Sequence, residues 1–167
     1  MTQDAAIGAA RRAIVALDGR TVATAESLTA GLVSATLARV PGVSAILRGG
    51  VTAYCEDVKE GLLGVPRAVL VEGGPVQAAV AEAMAVGACR LLGARFGVAT
   101  TGVAGPGPSG GVPEGTVVVS AHDSVTGEWL TRQLEFPGDR EDVRRAAAVS
   151  ALGTLADLAE QTGPPGR

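Results

Sequence analysis

The sequence predicts an α/β chain, folded as a single-domain, three-layer α/β/α sandwich around a mixed sheet. Three observations carry this expectation. Strand-like runs at 21–26, 49–54 and 96–101 alternate with helical runs. Two further β-rich segments, 116–122 (TVVVSAH) and 128–136 (EWLTRQLEF), are joined by DSVTG and read as an antiparallel hairpin, which makes the sheet mixed rather than parallel throughout. Apolar residues make up 47% of the 167 residues but aromatics only 2%, so the core must be built from Ala, Val and Leu, in closely packed helices against a Val-rich sheet.

In chain order, 4–17 reads as an amphipathic helix, with Ile7, Ala10, Ile14 and Leu17 at helical spacing and Gly19 ending it. The strand 21–26 leads straight into Ser27. LTAGLVSATLAR then reads as a helix stopped by Val40-Pro41-Gly42. After the strand 49–54, EDVKEGLL is helical to about Gly64 and carries Lys59 one turn in. Pro75 suits the first turn of a long alanine-rich helix running to Leu92. The third strand, 96–101, opens into the loop GVAGPGPSGGVPEG. After the hairpin, Asp139 caps a last helix with Asp142 three residues on and Val143, Leu152, Leu155 and Leu158 as its buried stripe. The expected domain is 1–160, with 161–167 (QTGPPGR) a disordered tail.

A net charge of −3 argues against nucleic acid or an acidic membrane surface as partner, because both demand a basic patch. The first residues lack the apolar run of a secretory leader, and no stretch is long and apolar enough to span a membrane. Two cysteines, Cys55 and Cys89, with one histidine, His122, make neither a disulfide scaffold nor an ordinary zinc site. The expectation is a cytoplasmic, metal-free and cofactor-free domain whose partner is a small molecule.

Of the 14 basic residues, 13 are arginines, so Lys59 is the only lysine, and Tyr54 is the only tyrosine. Arginine cannot lose its proton in a protein, whereas a buried lysine can be lowered until it serves as a base. The competing reading of Lys59 is an ordinary exposed helix residue. Ser27 stands where a nucleophile could find backbone N–H donors, at Leu28 and Thr29, for a developing oxyanion. Its competing reading is a plain N-cap. Residues 105–110 match G-x-G-x-x-G, but a strand rather than a helix follows, so a dinucleotide site is rejected; the loop can still offer N–H groups to an anion. Cys55 is a weaker rival nucleophile, and His122 at a strand end reads as structural.

The blocks Ala25-Glu26-Ser27-Leu28-Thr29-Ala30-Gly31, Gly50-Val51-Thr52-Ala53-Tyr54 with Lys59, Thr101-Gly102-Val103-Ala104-Gly105-Pro106, residues 113–117 (PEGTV), and Phe136-Pro137-Gly138-Asp139-Arg140 with Arg144 resemble the CinA C-terminal domain family over about residues 8–160. That resemblance implies a metal-independent amidase in its single-domain form, deamidating nicotinamide mononucleotide to nicotinate mononucleotide and ammonia. Ser27, Tyr54 and Lys59 would be catalytic. Glu26, Leu28, Thr29, Gly31, Thr101, Gly102, Ala104, Gly105 and Arg140 would contact substrate, with backbone N–H groups of Leu28, Thr29 or Gly102 holding the oxyanion. The phosphate would fall to the 102–107 loop and Arg140. A homo-oligomer is expected. The chain departs from the family pattern at Ala30, where a glycine is usual, at Cys55-Glu56-Asp57 in place of Ser-Asn-Glu, and at Gly74-Pro75-Val76-Gln77 in place of Gly-Ala-Val-Ser. These departures leave two alternatives: an amidase of altered specificity, or a silent binding or assembly module.

Overall fold

A computed structural model describes residues 3–163. The elements run α1 (Gln3–Leu17), β1 (Val22–Glu26), α2 (Leu32–Ala38), a 3-10 turn (Val43–Ala45), β2 (Leu47–Thr52), α3 (Glu56–Leu63), α4 (Arg67–Gly73), α5 (Ala78–Leu92), β3 (Phe96–Gly102), β4 (Thr116–Asp123), β5 (Trp129–Glu135) and α6 (Arg140–Thr162). The five strands lie in the order β2-β1-β3-β4-β5. β1 is parallel to β2 and β3, whereas β3, β4 and β5 pair antiparallel. This is the mixed sheet that the hairpin signal predicts.

Two cores flank the sheet. On one face Val22, Phe96, Val98, Val117, Val119 and Ala121 meet α1, α2 and α6, and Val143, Leu152, Leu155 and Leu158 of α6 are all buried there, as their spacing predicts. Leu130, Leu134 and Phe136 pack against this side. The other face is built from small residues, Ala23, Ala25 and Ala99, against Met84, Ala85 and Ala88 of α5. Here a Cβ on Gly97 would lie 2.0 Å from Ala85 O, so α5 rides on bare strand backbone. Close approach of this kind is what a core rich in alanine and poor in aromatic residues permits.

Several boundaries differ from expectation for local reasons. The helix after β1 begins at Leu32, not Leu28. Ser27 N–H still pairs with Thr100 O as an extension of β1, and the chain then turns through left-handed Ala30 (φ 50°) and Gly31 (φ 97°). β2 starts and ends two residues earlier than expected, with Ala53 N–H reaching back to Glu26 O. α5 starts at Ala78 behind Gln77, leaving Pro75 in the preceding turn, where its carbonyl accepts from Thr101 Oγ1 at 2.7 Å. α4 was not foreseen; it is a short helix between Pro66 and Gly74 whose one buried side chain is Leu70. Gln161 and Thr162, expected in the tail, close the last turn of α6, and the rest of that tail beyond Gly163 lies outside the described residues. Asp139 caps α6 as expected, accepting from the N–H groups of Glu141 and Asp142.

Candidate active site

The ends of β1 and β3 and the start of α3 converge on a cleft of about 600 Å³, within the range of small-molecule sites. Its lining includes Ser27, Leu28, Tyr54, Cys55, Glu56, Lys59, the 73–76 turn, residues 101–110 and Arg140. Among the described residues no cluster of His, Cys, Asp or Glu could hold a metal ion. None of their helices is long and apolar enough to cross a membrane.

Lys59 is 1% exposed and is the bulkiest of the fully buried side chains. It is absent from every ion pair among the described residues. Its Nζ lies 2.9 Å from Ala53 O, 3.2 Å from Tyr54 O and 3.1 Å from Ser27 Oγ. The helix start explains the reach. Cys55 precedes the first turn of α3, so the stem of Lys59 runs back toward its N-terminus and brings the amine under the end of β2. Two carbonyls can take only N–H donors. In the charged form the third hydrogen points at Ser27 Oγ; in the neutral form the lone pair does. Burial, the largest influence, pushes Lys59 below the ordinary lysine range, against the opposing pull of Glu56 and Cys55. The neutral form is thereby the more accessible, which is what a base needs.

Tyr54 is 53% exposed and projects into the cleft mouth. Its phenol oxygen accepts from Arg140 Nη2 at 2.7 Å, while Arg140 Nη1 donates to Gly105 O at 2.7 Å. Arg140 thus ties the α3 wall to the glycine-rich loop, and the Tyr54 O–H remains free to donate. Loop shape is held internally: Gly107 N–H reaches the Glu114 carboxylate, and Ser109 and Val112 exchange backbone bonds.

Three residues expected to contact substrate do not line the cleft. Glu26 is buried under the first turn of α2, where its carboxylate accepts from the N–H groups of Gly31, Val33 and Ser34, each at 2.9 Å, and from Ser34 Oγ and Thr24 Oγ1. It is the cap of that helix. Gly31 supplies the left-handed corner before it. Thr29 is fully buried, its hydroxyl paired with Thr100 Oγ1 at 2.7 Å. Leu28, Thr101, Gly102, Ala104, Gly105 and Arg140 do line it. Sequence reasoning missed the 73–76 turn as a wall, although the run Gly73-Gly74-Pro75 is strong loop punctuation. His122 is structural, as expected: its Nδ1 faces Glu128 O and its ring packs 4.5 Å from Trp129.

Known proteins resemble this chain in both sequence and fold. The profile of the CinA C-terminal domain matches residues 7–159. A CinA-like protein of Frankia casuarinae is 46% identical over 134 residues, covering 79% of this chain and 30% of its own length. One of Mycolicibacterium gilvum is 47% identical over 140 residues, covering 83% of this chain and 33% of its own. The chain therefore spans about a third of the length of these relatives. Among solved structures, the competence/damage inducible protein CihA of Agrobacterium tumefaciens superposes with a TM-score of 0.89 at 34% identity, covering 95% of this chain and 98% of that one. A CinA superfamily protein of Escherichia coli gives 0.86 at 28% identity, covering 95% and 93%. By sequence and by fold, the chain belongs to the CinA C-terminal domain family.

Proposed function

We propose that this domain is a serine amidase that hydrolyses nicotinamide mononucleotide to nicotinate mononucleotide and ammonia. The observation that carries the reading is Lys59: a fully buried amine with no carboxylate partner, fixed by two carbonyls, 3.1 Å from Ser27 Oγ. A buried amine that burial pushes below the ordinary lysine range, beside a hydroxyl, is suited to serve as a general base. Ser27 Oγ attacks the carboxamide carbon as its proton passes to Lys59 Nζ. The C–N bond then breaks, and the leaving nitrogen takes the proton from Lys59, directly or relayed through the Tyr54 hydroxyl, departing as ammonia. Water attacks the resulting ester, giving up a proton to the amine, and Ser27 leaves with a proton to restore the hydroxyl. The product is the carboxylate.

In this reading the oxyanion falls to the N–H group of Leu28, a cleft-lining residue whose amide has no hydrogen-bond partner among the described residues. Arg140 uses two of its five N–H donors on Gly105 and Tyr54, which leaves three for a substrate phosphate. Ammonia release from nicotinamide mononucleotide tests the assignment. Wild type should release it, and Ser27→Ala should not while keeping its fold. An Ala variant as active as wild type would remove Ser27 from the mechanism, and a folded but inert wild type would favour a binding module.

A further inference from the structure

The turn behind the nucleophile is gripped by a guanidinium that takes no part in the amidase steps. Arg144, one turn into α6, donates from Nε to Leu28 O and from Nη2 to Thr29 O, both at 3.0 Å, and its third arm, Nη1, reaches Glu141 at 2.8 Å. The backbone groups of 27–31 can be accounted for one by one. Ser27 N–H goes to Thr100 O, Ala30 N–H to Ser27 O and Gly31 N–H to Glu26, which leaves the N–H groups of Leu28 and Thr29 without a partner among the described residues. Those residues are 3% and 0% exposed, so the orphans are buried ones. Buried amides left unpaired are rare, and of these two residues Leu28 lines the cleft beside the nucleophile, where a ligand can reach it.

In a trans peptide the C=O and N–H point opposite ways. Arg144 draws the carbonyls of Leu28 and Thr29 toward α6, so the amides in the same two planes, those of Thr29 and Ala30, face away from it. The amide of Ala30 closes on Ser27 O, which turns the Leu28 amide of that same peptide plane the opposite way. We propose that Arg144 is a positioning residue for the oxyanion site: it anchors the carbonyl ends of this turn and thereby holds Leu28, whose unpaired amide stands beside Ser27 in the cleft wall and meets the negative charge that develops on the substrate oxygen. This rests on the amidase reading of Ser27. A planar fork is required, since lysine offers a single point of charge and cannot hold two carbonyls in fixed register. Glu141 steadies the fork from the solvent side, and Glu26 fixes the far end of the same turn through Gly31.

The test compares wild type with Arg144→Lys and Arg144→Ala, reading kcat, KM, thermal unfolding and inhibition by the aldehyde analogue of nicotinamide mononucleotide, whose Ser27 adduct carries an oxyanion. Removing one oxyanion donor costs about 10²- to 10³-fold in kcat, so displacing the turn should cost about 10²-fold with KM changed less than about threefold. Affinity for the aldehyde should fall in parallel, and free guanidinium ion should restore part of the rate to the Ala variant only. A plain docking role for Arg144 predicts lowered unfolding temperature with kcat and aldehyde affinity unchanged in the folded protein, and that result would overturn the proposal while leaving the amidase intact. Wild type with no Ser27-dependent ammonia release would overturn both. Should both variants fail to fold, replacing Leu28 by its α-hydroxy acid removes the one N–H in an otherwise intact chain: unchanged kcat there rejects the proposal, and a similar loss supports it.

Discussion

On the proposed mechanism, replacing Lys59 with arginine puts a permanent cation where the base must be neutral. The wild-type amine spends two hydrogens on Ala53 O and Tyr54 O and can turn a lone pair to Ser27 Oγ; a guanidinium has five N–H donors and no lone pair to offer. Positioned proton transfer contributes about 10²- to 10⁴-fold, or about 3 to 5 kcal/mol of barrier, and Lys59→Arg should lose at least the lower figure in kcat/KM. Wild-type kcat/KM should rise with pH through the burial-lowered pKa of Lys59 and level off below the ~10.4 of a free lysine, because the free enzyme must present the neutral amine. The variant should not be rescued at high pH. Stability carries the same signature. Since burial lowers the folded pKa, the unfolded chain binds the extra proton between that value and ~10.4, and stability rises with pH across this window by about 1.36 kcal/mol for each pH unit that the window spans. Arginine stays charged throughout, so the variant should be destabilised and lack this rise. Ammonia release and urea unfolding from pH 6 to 10 measure both. A variant within a few-fold of wild type, beside a flat wild-type profile, would refute the base assignment.

Ala30→Gly should stabilise the fold by about 0.5 kcal/mol, because exposed Ala30 holds a left-handed φ of 50° whose strain exceeds the flexibility that glycine adds; a lower urea midpoint would contradict this. Gly97→Ala should destabilise by about 1 to 3 kcal/mol or more, since the new Cβ would press on Ala85 O at 2.0 Å and α5 would have to lift; unchanged unfolding would show that this face is not so closely packed. Iodoacetamide at pH 8 should label exposed Cys55 and spare Cys89, which is buried and whose thiol burial pushes up to about 12. Peptide mapping that found both alkylated in the folded protein would overturn that contrast.

Everything governed by near neighbours could be read along the chain. β-rich runs pointed to β3, β4 and β5, helical stripes to α1 and α6, and Asp139 to the start of α6, because each depends on residues a few places apart. Ser27 and Lys59 were legible for a different reason: one followed a strand, and the other was the only lysine in a chain that otherwise uses arginine. α4 escaped because it is one short helix with a single buried side chain, Leu70, too little to make a pattern. Where these residues sit was decided by the packing of distant segments. Glu26, expected at the substrate, lies under the first turn of α2, and both its oxygens accept from that turn. Arg144 is 116 residues from Leu28, yet its guanidinium sets that carbonyl, and no local rule links the two. Lys59 is 32 residues from Ser27, yet the fold buries its amine 3.1 Å from Ser27 Oγ, and the desolvation that lowers its pKa belongs to the packed molecule rather than to any stretch of its chain.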